Sequence, residues 1–169
     1  MIIIKFSTKK LTEAALIAAL YVTLCSISGM FGLSSGAIQL RLSEALCILP
    51  IYMQAAVPGL FVGCVISNLL VGGSVLDVVF GSLATLIGAV GTRLIGRKHK
   101  VLALLAPIFS NTVIIPFVIA YAYGAEETLL FMFVTVFIGE VLSCGVLGLV
   151  LDRLLEKSVK INENNKDIG

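Results

Sequence analysis

Long apolar runs separated by short polar turns dominate the chain. Residues 11–30, 76–95, 101–123 and 129–151 are apolar almost throughout. Each is close to the ~20 residues an α-helix needs to cross ~30 Å of hydrocarbon. Two shorter runs, 41–52 and 60–70, have the same character. Pro50 is expected to kink or end the first of these, and Pro58-Gly59 to mark a turn or a fresh helix start before the second. Between the runs lie a Gly/Ser-rich loop at 31–39, a Gly-rich turn at 71–74, a basic loop ending at Lys100 and a short acidic loop at 124–128. The pattern predicts an all-α integral membrane protein of six transmembrane helices. Residues 1–10 form a basic tail, 11–155 the membrane domain and 156–169 a polar tail. A signal peptide would also begin with a basic tail and an apolar run, but here more spans follow and the run is long enough to cross.

Composition agrees with this reading. Of 169 residues, 59% are hydrophobic and 13% charged, against about 45–50% and about 25% in soluble domains. Mean hydropathy is +1.09. Six spans use up the length, leaving no room for a soluble domain. A net charge of +2 says nothing for nucleic acid, but its distribution fixes a topology. Eleven of the twelve Lys and Arg residues precede the first span, fall between the fourth and fifth, or follow the last. The positive-inside rule puts all three clusters in the cytoplasm. Both termini are then inside, and Gly36, Arg41, Glu44, Asn68, Asp77, Glu126 and Glu127 lie at or near the outer face.

The polar groups that interrupt the apolar runs are the candidates for chemistry. A charge at mid-membrane costs roughly 2.5–3.5 kcal/mol on insertion scales, so it is kept where it faces a cavity, a partner or a ligand. Gln39, Arg41, Glu44, Asn68, Asp77, Asn111 and Glu140 are expected to bind a small solute. The bland readings stand beside this one. Arg41 and Glu44 are three apart and suit a local ion pair. Asp77 suits a helix N-cap. Asn111 suits inter-helix glue. Glu140 is hardest to dismiss, lying far from either membrane face. Gly81, Ala84, Thr85 and Gly88 recur below Asp77 as a smooth face, and Ala14, Ala15, Ala18 and Ala19 form a small-residue face on the first span. The cysteines, Cys25, Cys47, Cys64 and Cys144, have no ligand spacing, and His99 sits in a basic loop, so no metal site or cofactor is expected. No GxxxxGK[ST] motif is present, so ATP would have to be hydrolysed by another chain.

The segments GAIQLRLSEALCILPIY, PGLFVGCVISNLL, LDVVFGSLATLIGA and FIGEVLSCGVLG resemble the queuosine-precursor transporter family, QueT. The resemblance runs over about residues 11–155. It implies a substrate-capture (S) component of an energy-coupling factor (ECF) transporter in a bacterial plasma membrane. Such a subunit is a six-helix bundle that partners a transmembrane T component and two cytoplasmic ATPases. The implied solute is a 7-deazaguanine precursor of queuosine, or queuine. The resemblance also implies docking on the T component through the small residues of the first helix, which Ala14, Ala15, Ala18 and Ala19 match. It implies a solute site near the outer face, under the loop at 31–39.

Two other classes remain open from the residues alone. One is a self-sufficient secondary transporter or channel. The other is a membrane enzyme, for which Ser43–Glu44 is the sole weak candidate for a nucleophile and base.

Overall fold

The structure, a computed structural model, describes residues 7–33, 39–96, 98–124 and 127–166, with side chains as far as 158. Residues 34–38 of the expected outer loop, and Gly36, Arg97 and Glu126 from the topology argument, lie outside the described residues. The described residues form helices joined by short turns and extended connections, with no strand among them. In chain order the helices are α1 (Thr8–Met30), α2 (Leu42–Ile51), α3 (Ala56–Leu70), α4 (Asp77–Ile95), α5 (Lys100–Tyr123) and α6 (Leu129–Ser158), whose backbone continues to Lys166. Four of them, α1, α4, α5 and α6, are long and apolar enough to cross a membrane. The other two, α2 and α3, are shorter apolar helices.

The chain runs back and forth six times between two ends of one bundle. At the first end Lys10 bonds Gln54, and Arg93 donates to the Pro50 and Ile51 carbonyls. Lys100 there contacts Tyr52, Asp152 and Glu156. This brings basic residues of the first two clusters to one end, beside Asp152 and Glu156 of the segment that carries the third. Arg93 caps the last carbonyls of α2, where a cation is electrostatically favoured. At the opposite end Ser28 meets Leu42, Asn68 meets Asp77, and Asp77 meets Tyr123.

The second pass, α2, is wound as a 3-10 helix of ten residues, where runs above 3–4 residues are uncommon. Ser43, Glu44, Leu46, Cys47, Ile48, Leu49 and Pro50 are all buried, so it is enclosed by the other passes. The thinner, longer winding suits that place. At ~2.0 Å per residue it covers about 20 Å, where an α-helix of ten would cover about 15 Å. The residues before it are not helical, and Arg41 is extended.

Around this axis α1 and α3 run parallel and in tight contact. A Cβ on Gly59 would stand 2.8 Å from the Ala14 carbonyl oxygen, and one on Gly63 would stand 3.1 Å from the Ala18 Cα. Ala14 and Ala18 are therefore buried inside the chain, whereas Ala15 and Ala19 are exposed. The alanine face predicted from the sequence is split. Half of it is an internal seam of small residues, the arrangement that lets two helices approach closely. The smooth face on α4 is also internal, because Gly88 lies against Pro107 of α5 at 2.6 Å from a notional Cβ. No open groove runs from Gly81 to Gly88.

Both turns at the end away from the lysines close α1 and α3 in the same way. Gly32 and Gly72 take φ of 67° and 71°. The N–H groups of Gly32 and Leu33 bond the Gly29 and Ser28 carbonyls, and those of Gly72 and Gly73 bond Leu69 and Asn68. Each is a Schellman motif, for which glycine supplies the left-handed residue at least cost.

Candidate functional site

A polar cavity of about 350 Å³ opens at the end opposite the basic cluster, lined by Cys25, Gln39, Arg41, Asn68, Val71, Gly73, Asp77, Ile115, Ile119 and Tyr123. Its size is within the usual range for small-molecule sites, roughly 300–1,000 Å³. Four of the seven binding residues expected from the sequence, Gln39, Arg41, Asn68 and Asp77, meet here.

The wall at Asp77 is built by local chain chemistry. Ser74 Oγ accepts the Asp77 N–H at 3.2 Å, and Asp77 Oδ2 accepts the Ser74 N–H at 3.2 Å. This is a capping box, with Ser74 as N-cap and Asp77 three residues on. The expectation of Asp77 as the N-cap itself is thereby corrected. The Tyr123 hydroxyl also donates to Asp77 Oδ2, tying α5 to this turn across the cavity. Asn68 Nδ2 donates to the Asp77 carbonyl at 2.9 Å, which leaves the amide oxygen as its remaining polar atom. A π-helical segment from Asp77 to Gly81 opens α4. Gly81 sits against the Asn68 amide, 3.3 Å from where a Cβ would be.

The floor is the segment 39–41. Arg41 N–H donates to Ser143 Oγ at 3.0 Å, and Leu42 N–H donates to Ser28 Oγ at 2.9 Å. Gly139 of α6 receives the Gln39 carbonyl, into which any Cβ would collide. The segment is thus pinned between α1 and α6.

Beneath this floor lies a layer to which each pass contributes one polar group or thiol: Tyr21, Glu44, Cys64, Thr85, Asn111 and Glu140. Tyr21 donates to Glu44 Oε1 at 2.5 Å, and Cys47 to Glu44 Oε2 at 3.1 Å. Thr85 donates to the Cys64 sulfur at 3.4 Å. Asn111 lies close enough to Glu140 to act on its carboxyl. Arg41 reaches into this layer from above, close enough for Tyr21, Glu44, Cys64 and Glu140 to act on it electrostatically. No Arg41–Glu44 ion pair forms; the ion pairs among the described residues are those of Lys100. Glu44 is instead satisfied by Tyr21 and Cys47. Glu140 is different. It is 8% exposed, and its Oε2 has no hydrogen-bond partner. The buried hydroxyl oxygens of Ser43, Ser67, Ser82 and Thr112 are also without partners. A buried polar group left unmet costs about 1–3 kcal/mol, more if charged. Such a group in a folded site calls for a water or a ligand. Glu140 begins a second π-helical segment, Val141–Leu147, a distortion common at functional sites.

Toward the basic cluster the interior turns largely apolar. Ile17, Leu46, Ile48, Leu49, Leu60, Ala89, Leu104 and Ile108 form one buried core there. The polar layer therefore lies between the cavity floor and this apolar core. Asn111, Glu44 and Glu140 lie in this layer and do not line the open cavity. Among the aromatic residues Tyr123 lines the cavity, whereas Tyr121 faces a separate apolar groove with Phe80 and Phe117. Tyr21 was not legible as a site residue from the sequence, though it follows Ala14 and Ala18 at helical spacing on the same buried face. Ser74 was legible, since S-x-x-D before an apolar run is a capping-box signature.

Comparison with known proteins adds three findings. The family model described as QueT transporter matches residues 11–157. The "Queuosine precursor transporter QueT" of Lactococcus lactis subsp. cremoris (strain MG1363) is 30% identical over 163 residues, covering 89% of this chain and 94% of that protein. No solved structure matches.

Proposed function

The chain belongs to the QueT transporter family, and from that membership we propose that it is the substrate-capture subunit of an energy-coupling factor transporter, binding a 7-deazaguanine queuosine precursor or queuine. All six passes cross the membrane in this reading. The 3-10 winding of α2 helps, because about 20 Å of helix and three preceding residues at up to ~3.3 Å each span about 30 Å. The basic end faces the cytoplasm by the positive-inside rule, and the cavity opens outside. The apolar core below the polar layer supports a subunit that does not pass the solute through itself. Movement of the bound solute therefore falls to partners, a T component and two ATPases, that reorient the subunit. Ala15 and Ala19, the exposed half of the alanine face, are the docking residues in this reading.

The observation that carries the ligand assignment is the unpartnered Glu140 Oε2 beside an Arg41 that pairs with neither carboxylate. A deazaguanine offers an N–H and an exocyclic amine side by side, with a carbonyl next to them. Glu140 accepts the two donors, and charge-assisted bonds of this kind are about twice as strong as neutral ones. Arg41 and the amides of Gln39 and Asn111 are the donors for ligand acceptors, and the free amide oxygen of Asn68 is a further acceptor. Asp77, already holding Ser74 and Tyr123, shapes the entrance.

Calorimetric titration of the purified chain with deazaguanines, queuine, guanine and thiamine tests this. Saturable binding of a deazaguanine or queuine, tighter than that of guanine or thiamine, is expected. Glu140→Gln presents a donor to a ligand donor, a loss of about 1–3 kcal/mol or about 5- to 150-fold in affinity. Unchanged affinity in a folded Glu140→Gln protein would remove Glu140 from the site. Failure of every deazaguanine to bind would sink the substrate class.

A further inference from the structure

The turns that follow α1 and α3 are strongly apolar at an end of the bundle where water-facing turns would be polar. Met30 and Phe31 are 86% and 77% exposed, and Leu70, Val71 and Val75 are 68%, 62% and 78% exposed. No charged residue occurs among the described residues from Ser26 to Leu33, nor from Leu69 to Leu76. The two turns are neighbours. Ala14 packs on Gly59 and Ala18 on Gly63, and the same register carried up the parallel pair sets Cys25 level with Leu70. Cys25 and Val71 accordingly line one cavity.

The N–H groups of these turns are also satisfied from within. Both are closed by Schellman bonds, and Ser74 and Asp77 cap the next helix reciprocally. In water these groups could be solvated at no cost. Inside a bilayer, internal satisfaction is what allows turn backbone to persist. Exposed contiguous apolar surface marks an interaction site, and this surface continues the lipid-facing bands of the two helices below it.

We infer that Met30–Phe31 and Leu70–Val75 form an apolar ledge held within the outer leaflet, so that on the α1–α3 side the mouth of the cavity is bordered by lipid. This inference rests on the reading of the chain as membrane-spanning. The occupant is lipid because the surface has no charge with which to recognise a polar partner and continues the apolar faces of the two helices. The turn between α5 and α6, with exposed Glu127, is the aqueous side of the same mouth.

The chain contains no tryptophan, so single-tryptophan variants report one place each. Phe31→Trp and Val75→Trp probe the ledge, Leu83→Trp a lipid-facing position within α4, and Lys157→Trp the basic end. In nanodiscs, fluorescence is measured with brominated phospholipid and, separately, with aqueous iodide. Tryptophans at 31 and 75 are expected to be quenched by brominated lipid at least half as strongly as that at 83, and by iodide several-fold less than that at 157. Iodide quenching at 31 and 75 equal to that at 157, with 83 still quenched by lipid, would overturn the ledge while leaving the membrane reading intact. Iodide quenching at 83 as well would overturn both.

Discussion

Removing one hydroxyl tests whether the polar layer holds the bundle together as well as lining a site. Tyr21 is 1% exposed and donates to Glu44 at 2.5 Å. Tyr21→Phe keeps the ring and leaves almost no cavity, so the change isolates the bond. A hydrogen bond to a carboxylate contributes about 1.5–3 kcal/mol. For a chain of this size each kcal/mol shifts Tm by about 2–4 °C, giving an expected fall of about 3–12 °C. Cys47, Cys64 and Cys144 are buried at 0%, 2% and 0% exposure, so a thiol-reactive fluorogenic dye in detergent reports their release on unfolding. Glu44→Gln serves as the second arm. Because one change removes and the other weakens the same interaction, the double variant should lose less than the sum of the singles. A Tm within about a degree of the parent for Tyr21→Phe, or strict additivity with Glu44→Gln, would refute the claim that this bond couples α1 to α2.

The remaining predictions follow from burial. Ala18→Leu places a large side chain in the α1–α3 seam and should lower expression and Tm, overpacking costing typically about 1–3 kcal/mol. Ala15→Leu should leave folding and solute binding intact and weaken co-purification with the T component; equal effects of the two would show that the seam does not divide them. Cys25, half-buried at the cavity wall, should be the fastest native thiol to react with an impermeant maleimide added outside intact cells, and bound solute should protect it. In a cysteine-free background Lys98→Cys should stay unlabelled from outside, and strong labelling there would reverse the topology.

The local physics of lipid insertion acts residue by residue along the chain, so the sequence by itself determined a great deal. The apolar runs dictated an all-helical membrane protein, and the placing of Lys10, Arg93 and Lys100 anticipated one basic end. Pro50 and Pro58 bracketed the break between the second and third passes. Gln39, Arg41, Asn68 and Asp77 were chosen as polar interruptions, and the fold brings these four to one cavity. What required the tertiary structure was the rotation of each helix about its axis and the pairing of each polar group. Periodicity puts Ala14 and Ala15 on one small-residue face, but only the depth of Gly59 and Gly63 in α3 draws Ala14 and Ala18 inward and leaves Ala15 and Ala19 outside. Three-residue spacing allows Arg41 to pair with Glu44 on an α-helix. With Arg41 extended and α2 wound as a 3-10 helix, Glu44 turns to Tyr21 and Cys47 instead. Three membrane carboxylates look alike in the sequence. Which one keeps a buried unpaired oxygen depends on partners 23 residues away for Glu44 and 46 away for Asp77, a long-range fact that no local pattern encodes.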